Sequence, residues 1–307
     1  MALTIVMYHY VRDLARYPGI KGRDTASFQR QLDYIESHHT VVTAEEVIAA
    51  AKGGPALPDN ALWLTFDDGY ADHYNNVFPL LQERDWQGSF FPPARAIENR
   101  ELLDVNQIHF ILAATQDHEA IIKSIRAFID ERQGCDGIRS FADYSAELVK
   151  PTHLDNANVA FIKDMLQWAL PSTLRSELLK HLFKRFVRVE PSALAAELYM
   201  STAQLQTLIQ SGMYVGSHGA GHYWLDRLSP ADQETEIDAA RAFLRRLGAP
   251  TEDWIMCYPY GAWNDGLVNL LKTRGCSVGI TTESNVADLG VHDPLKLPRL
   301  DTNDLPH

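Results

Sequence analysis

Short apolar segments that alternate with helical patterns are the feature that most constrains the fold of this 307-residue chain. Residues 3–9 are typical of a strand, and Phe28, Leu32 and Ile35 then mark one face of a helix. Further strand patterns lie at 41–42, 61–66 and 87–91, with helical patterns between them. This alternation indicates an α/β fold with a parallel sheet or barrel.

The alternation stops near residue 97 and resumes near residue 199. Between these positions apolar residues recur with helical spacing, as at Ile121, Ile125 and Phe128, and prolines divide the stretch into segments. Strand patterns return at 213–217, 254–258 and 277–281. We therefore predict one α/β domain formed by residues 1–96 and 199–307, with a helical subdomain of unknown role inserted at 97–198.

Charge and cysteine content exclude several functional classes. A formal net charge of -12 disfavours a nucleic-acid partner, which would require clustered Lys and Arg. Cys135, Cys257 and Cys276 are far apart and form no CxxC pair, so neither a disulfide framework nor a thiolate metal site is predicted. No apolar run reaches the roughly 18 residues of a membrane span. The N-terminal run lacks the basic start of a secretion signal, and we expect a cytoplasmic protein.

Three polar motifs each follow a predicted strand directly. They are Asp67-Asp68-Gly69, Ser217 to His222, and Pro259-Tyr260-Gly261. Barrel enzymes carry their catalytic groups on the loops at the carboxyl ends of parallel strands. We therefore expect the three motifs to converge on one face of the fold.

Residue types in the first two motifs suit a divalent metal. The four-residue spacing of His218 and His222 predicts two imidazoles on one face of a single helical turn, and the intervening glycines favour an irregular turn over a long helix. A turn at Gly69 would let Asp67 and Asp68 share a pocket, although neighbours on a strand point to opposite faces. One aspartate and two histidines can hold a metal with open positions, leaving the second aspartate to take a proton from water. The pattern predicts metal-assisted hydrolysis.

The segments 65–69, 217–222 and 258–261 resemble the first three motifs of the polysaccharide deacetylases, carbohydrate esterase family 4. The resemblance implies a distorted (β/α) barrel of about seven units, interrupted by the helical insertion, that hydrolyses N-acetyl or related amides with a divalent metal. It assigns Asp67 as the catalytic base and Asp68, His218 and His222 as the metal ligands. Zn²⁺ suits such a nitrogen and oxygen site best, with Co²⁺, Ni²⁺ or Fe²⁺ as alternatives.

The same resemblance places Pro259 and Tyr260 in the substrate site. The backbone N–H of Tyr260 would help to stabilise the oxyanion of the reaction. The aromatic side chains near the motifs could also stack on a sugar ring: Tyr70, Tyr223, Trp224, Tyr260 and Trp263. Tyr260 is the best candidate, and packing is the expected role of the others.

Two departures from the family pattern affect the predicted catalytic groups. Cys257 stands where the family usually has an arginine that orients the catalytic base, and we predict that Arg299 replaces it. No histidine is assigned to the family's late Leu-x-x-His motif, whose histidine protonates the leaving amine. His9, at the end of the first strand, is our candidate for this acid, with Asp301 and His292 as weaker ones.

The leading functional hypothesis is a metal-dependent hydrolase that removes an acetyl or similar acyl group from an N-acylated amino sugar. The expected substrate is a small molecule or glycan precursor in the cytoplasm, destined for a surface glycan. One alternative is a hydrolase of non-sugar amides or cyclic ureides, and another is a non-catalytic glycan-binding protein on the same fold. Retention of Asp67 argues against the last, and the sequence leaves a homo-oligomer open.

Overall fold

The structure is a computed structural model that describes residues 2–13, 15, 19–132, 134, 137–151 and 156–306. The chain divides into two compact units. One contains the N-terminal strand with residues 22–101 and 195–306, and the other contains the described part of 102–194 with a short piece before residue 22. The insertion at 97–198 remains a prediction about domain organisation. Cys135 lies outside the described residues, whereas Cys257 and Cys276 are buried free thiols.

Strands and helices alternate along the first unit as expected, and the second unit is helical in its described part. The elements of both units are as follows. The strands are β1 (Ala2–Tyr8), β2 (Thr40–Val41), β3 (Ala61–Asp67), β4 (Ser89–Phe91), β5 (Tyr214–Val215), β6 (Trp254–Cys257), β7 (Cys276–Ile280), β8 (Ala287–Asp288) and β9 (Leu300–Asp301). The helices are α1 (Thr25–His38), α2 (Ala44–Ala51), α3 (Phe78–Gln82), α4 (Ala94–Glu98), α5 (Asp104–Ala113), α6 (His118–Asp130), α7 (Phe141–Leu148), α8 (Ala157–Asp164), α9 (Ser172–Phe186), α10 (Pro191–Leu198), α11 (Thr202–Gln210), α12 (Pro230–Leu247) and α13 (Asp265–Thr273).

Strand β3 is the centre of the main sheet. It pairs in parallel with β1, β2 and β4, while β4 pairs with β5 and β1 pairs with β9. Strands β6 and β7 form a second parallel pair, linked to the rest by bridges at Ser217–Met256 and Ile280–Leu297. This arrangement confirms the predicted barrel-type α/β fold. Across the described residues, however, the wall is divided between two hydrogen-bonded sheets and does not close into one barrel.

All seven residues of β3 are buried, because apolar side chains cover both faces of the strand. Trp63 is fully buried and donates its indole N–H to Ser89 Oγ at 2.8 Å. The carboxyl ends of β3, β5 and β6 carry the three polar motifs, as the sequence pattern predicted. The buried strand therefore delivers Asp67 to the edge of the sheet with little freedom to move.

Several helix boundaries follow signals that were visible in the sequence. Thr43 and Glu46 form a capping box at the start of α2. Ser229 caps the start of α12, and Gly248 ends that helix in a left-handed conformation with φ 80°. Within the described ranges, no helix combines the length and apolar character that crossing a membrane requires.

The segment that follows Arg299 is tied to the start of α1 by buried polar contacts. Arg23 donates to Thr302 Oγ1 at 3.1 Å, to the Thr302 carbonyl at 2.9 Å and to Asn303 Oδ1 at 3.0 Å. Gln31 donates to the same Thr302 carbonyl at 2.7 Å. These bonds hold β9 beside β1 and so fix the stretch of chain from which Arg299 projects.

We predict that Arg23→Ala lowers the free energy of unfolding by about 1–3 kcal/mol, because the three hydrogen bonds from the guanidinium to Thr302 and Asn303 are lost. Urea unfolding of the purified variant measures the loss. Arg30→Ala is the matched control, since Arg30 is exposed on α1 and should change stability little. Equal stability of the two variants would contradict the anchoring role of Arg23.

Candidate metal-binding active site

A left-handed turn separates the directions of Asp67 and Asp68. Strand β3 ends at Asp67, and Asp68 (φ 70°) and Gly69 (φ 68°) follow in the left-handed region. The turn therefore begins at Asp68 itself, one residue earlier than a turn at Gly69 would place it. A non-glycine residue pays about 1–2 kcal/mol for this conformation, although aspartate tolerates it better than most. As a result both carboxylates are buried, 1% and 2% exposed respectively, and His9 and His218 lie close to both.

His218 and His222 lie on an irregular loop after β5. The prediction that one helical turn aligns them is wrong, because Gly219 (φ 72°) and His222 (φ 56°) adopt left-handed conformations that an α-helix excludes. The expectation of an irregular turn is confirmed. The loop brings the two rings edge to face, with centroids 4.8 Å apart.

Asp68 and the two imidazoles converge on one point. Asp68 Oδ1 lies 3.4 Å from His218 Nε2 and 3.2 Å from His222 Nε2. This oxygen is buried and has no hydrogen-bond partner among the described residues. The other carboxylate oxygen, Oδ2, accepts a hydrogen bond from the Tyr70 hydroxyl at 2.6 Å. One oxygen and two imidazole nitrogens around a buried point form a donor set that fits a divalent cation such as zinc.

Outer contacts fix these three groups in place. His218 donates its Nδ1–H to the Cys257 carbonyl at 2.8 Å, which orients the ring so that Nε2 faces Asp68. Burial alone would raise the pKa of Asp68, but the neighbouring His218 and His222 hold that pKa well below its ordinary value. The carboxylate is therefore ionised and ready to bind a cation.

Asp67 forms a two-pronged ion pair with Arg299. The guanidinium donates to Asp67 Oδ1 at 2.9 Å and to Oδ2 at 2.8 Å. Its remaining bonds go to Thr65 Oγ1 at 3.1 Å and to the Thr281 carbonyl at 2.7 Å, and the arginine is 1% exposed. Burial would raise the pKa of Asp67, yet Arg299 lowers it below its ordinary range. The arginine thus lies where the sequence argument required a replacement for the residue absent at Cys257.

His9 is the one candidate acid that the structure places beside Asp67. His9 Nε2 lies 3.9 Å from Asp67 Oδ2, and its side chain is 39% exposed. The His9 carbonyl accepts a hydrogen bond from His73 Nε2 at 2.6 Å. By contrast, the side chains of the two weaker candidates stabilise local turns. Asp301 accepts the Asn303 N–H, and His292 accepts the Asp288 N–H.

The third motif reaches the same edge. Pro259 is buried, and Tyr260 has φ 58°, a left-handed conformation that is unusual outside glycine. The Tyr260 ring packs against His222 with centroids 4.7 Å apart. The structure thus connects the main predicted site residues in one region of the first unit: Asp67 with Arg299 and His9, Asp68 with His218 and His222, and Tyr260 with His222.

Sequence reasoning missed two residues that support the metal-binding groups. Tyr70 was considered only for sugar stacking, although it bonds Asp68. Glu236, on α12, accepts the N–H groups of Ala220 at 3.1 Å and Gly221 at 2.8 Å, and so fixes the histidine loop. A signal for it existed, because Glu236 occupies the buried stripe of α12 beside Ile237. A carboxylate in an apolar stripe indicates a specific partner.

We predict that Tyr70→Phe weakens Zn²⁺ binding by about tenfold or more, because the ligand Asp68 loses the hydrogen bond that orients it. Isothermal titration calorimetry on metal-free protein measures the dissociation constant. Tyr8→Phe is the matched control, since Tyr8 is equally buried and its hydroxyl bonds Gln31 instead. Wild-type zinc affinity in the Tyr70 variant would refute this prediction.

We also predict that Arg299→Ala lowers the free energy of unfolding by about 3–5 kcal/mol, because Asp67 is left as a buried charge without its partner. Arg299→Lys should lower the free energy of unfolding less than Arg299→Ala, because the ammonium keeps the positive charge beside Asp67 although it cannot make both hydrogen bonds of the guanidinium. Arg274→Ala is the control, since Arg274 also binds a carboxylate through two nitrogens, but in the more exposed pair with Asp238. A similar loss from both alanine variants in urea unfolding would show that burial does not matter.

Comparison with known proteins agrees with this geometry. The family model for polysaccharide deacetylase matches residues 54–126 and 177–279, which together exceed half of the chain. Over 88 residues the chain is 33% identical to the poly-beta-1,6-N-acetyl-D-glucosamine N-deacetylase of Escherichia coli K12, a match that covers 28% of this chain and 13% of that protein. The chain therefore spans only a small part of this curated relative.

Two solved structures share the fold. The deacetylase PplD of Streptococcus pyogenes, in complex with acetate, superimposes with a TM-score of 0.60 at 17% identity, over 100% of this chain and 94% of that one. IcaB from Ammonifex degensii gives a TM-score of 0.58 at 19% identity, over 98% and 91%. The fold, the motif order and the family match together place this chain in the polysaccharide deacetylase family.

Proposed function

We propose that this protein is a metal-dependent hydrolase that removes an acetyl or similar acyl group from an N-acylated amino sugar. The observation that carries the proposal is that the two adjacent carboxylates have different partners. Asp67 is held ionised by Arg299, while Asp68 faces His218 and His222. A base beside a cation site is the arrangement required for attack of water on an amide.

Asp68, His218 and His222 would hold the cation, which supplies an activated water and polarises the amide carbonyl when bound. Asp67 takes the proton of the attacking water, because Arg299 keeps the carboxylate charged and fixes both of its oxygens. The N–H of Tyr260 donates to the developing oxyanion. His9 lies on the Asp67 side of the pocket with its ring partly exposed, so it can deliver a proton to the leaving amine and recover one from solvent.

An amino sugar is the favoured substrate class. The aromatic ring of Tyr260 beside His222 gives a surface on which a pyranose can pack. The Escherichia coli relative is named for deacetylation of a β-1,6-linked N-acetylglucosamine polymer, and we propose the same sugar unit here. Whether that unit belongs to a polymer or to a cytoplasmic precursor is a question for the substrate assay.

The test is release of acetate by the zinc-loaded protein from three groups of compounds. These are β-1,6-linked N-acetylglucosamine oligomers, UDP-N-acetylhexosamines, and a panel of non-sugar amides and cyclic ureides. We expect release from at least one sugar group and none from the third. Release from non-sugar compounds alone would replace the proposal with the alternative hydrolase, and inactivity throughout would favour a glycan-binding protein.

We predict that Asp67→Asn lowers kcat by about 10²–10⁴-fold, because the general base is lost. Zinc affinity should stay close to that of the wild type, since Asp67 is not a ligand in this scheme. Asp68→Asn, by comparison, should lose zinc binding itself. Urea unfolding of both variants checks that each is folded. Full acetate release by the Asp67 variant would exclude it as the base.

A further inference from the structure

A stack of side chains joins the histidine loop to the third motif. The His222 ring meets the Tyr260 ring edge to face at 4.7 Å and 78°. The Tyr260 ring lies parallel to Trp224, with centroids 4.6 Å apart and an interplanar angle of 7°. The guanidinium of Arg227 lies 5.3 Å from the centroid of the Trp224 ring. Trp224 thus supports Tyr260, and through it contacts a candidate metal ligand.

The backbone of Tyr260 needs such support. Its φ of 58° is a strained value for a residue with a side chain, and Gly261 continues the turn with φ 68°. Behind the turn, Thr282 donates to the Tyr260 carbonyl at 3.3 Å. A methyl group on Gly261 would come within 2.3 Å of Thr282 Oγ1, so the turn has no room to relax on that side. The Trp224 ring packs against the side chain of the same residue, so Tyr260 is contacted both at its carbonyl and at its ring.

We propose that Trp224 is a positioning residue that holds two parts of the active site at once. Through Tyr260 it sets the direction of the oxyanion-binding N–H, and through the Tyr260 ring it holds His222 at the angle needed for a cation. The first part rests on the proposed function. The second concerns cation binding alone, so it can be tested without a substrate.

A role in packing or in sugar stacking makes different predictions. A residue that only packs would affect the stability of the metal-free protein and leave zinc affinity unchanged. A residue that stacks on the sugar would raise KM and spare both zinc affinity and kcat. A positioning residue lowers zinc affinity and kcat, with little effect on KM.

The experiment compares Trp224→Ala and Trp224→Phe with Trp263→Ala. Trp263 is a matched control because it lies three residues after Tyr260, is 37% exposed and has Lys296 4.0 Å from its ring. Isothermal titration calorimetry with Zn²⁺ should show an affinity about 10–100-fold weaker for Trp224→Ala. Trp224→Phe, which keeps a ring that can stack, should lie within a few fold of the wild type, and Trp263→Ala should match the wild type.

Acetate release then separates this inference from the proposed function. With an active sugar substrate, Trp224→Ala should lower kcat at nearly unchanged KM. Zinc affinity equal to the wild type in Trp224→Ala overturns the inference whether or not a substrate has been found. Inactivity of the wild type on every sugar contradicts the proposed function and leaves the zinc result to decide the role of Trp224. If Trp224→Ala does not fold, Trp224→Leu takes its place under the same criteria.

Discussion

The active site depends first on the buried ion pair between Asp67 and Arg299. A carboxylate excluded from water is strongly unfavourable unless its charge is compensated, and here both of its oxygens accept hydrogen bonds from one guanidinium. The guanidinium also donates hydrogen bonds to Thr65 Oγ1 and to the Thr281 carbonyl. The pair joins β3 to the stretch of chain before β9, so the C-terminal segment is part of the candidate site as well as part of the sheet.

Adjacent aspartates acquire different chemistry because the backbone turns between them. The extended conformation of Asp67 directs one carboxylate toward Arg299, and the left-handed conformation of Asp68 directs the next toward two histidines. Both groups are ionised, but one charge is already neutralised by a cationic side chain while the other faces imidazole nitrogens. A site that must both bind a cation and accept a proton gains from this separation, since one carboxylate cannot serve both tasks at once.

Local signals in the sequence predicted much of this fold. The capping box of Thr43 and Glu46 and the proline-led start of α12 depend on residues close together in the chain. The same is true of the three strand-end motifs, whose predicted positions the structure confirms. The left-handed conformation of His222 and the bond from Glu236 to the histidine loop depend on contacts across the fold, which periodicity does not reveal. The contact of Arg299 with Asp67 also spans the fold, but it was predicted. Cys257 stands where the family has an arginine, so another cationic residue was expected beside Asp67.

The third motif of this chain carries Cys257 in place of an arginine, yet a guanidinium from another part of the chain, that of Arg299, binds Asp67. The short side chain of Cys257 is fully buried, and the guanidinium of Arg299 lies beside its thiol. A reader who judged activity from the third motif alone would record a missing arginine and classify the chain as an inactive relative. Sorting members of this family into active and inactive ones therefore requires asking which charges surround the base, from whichever strand they come.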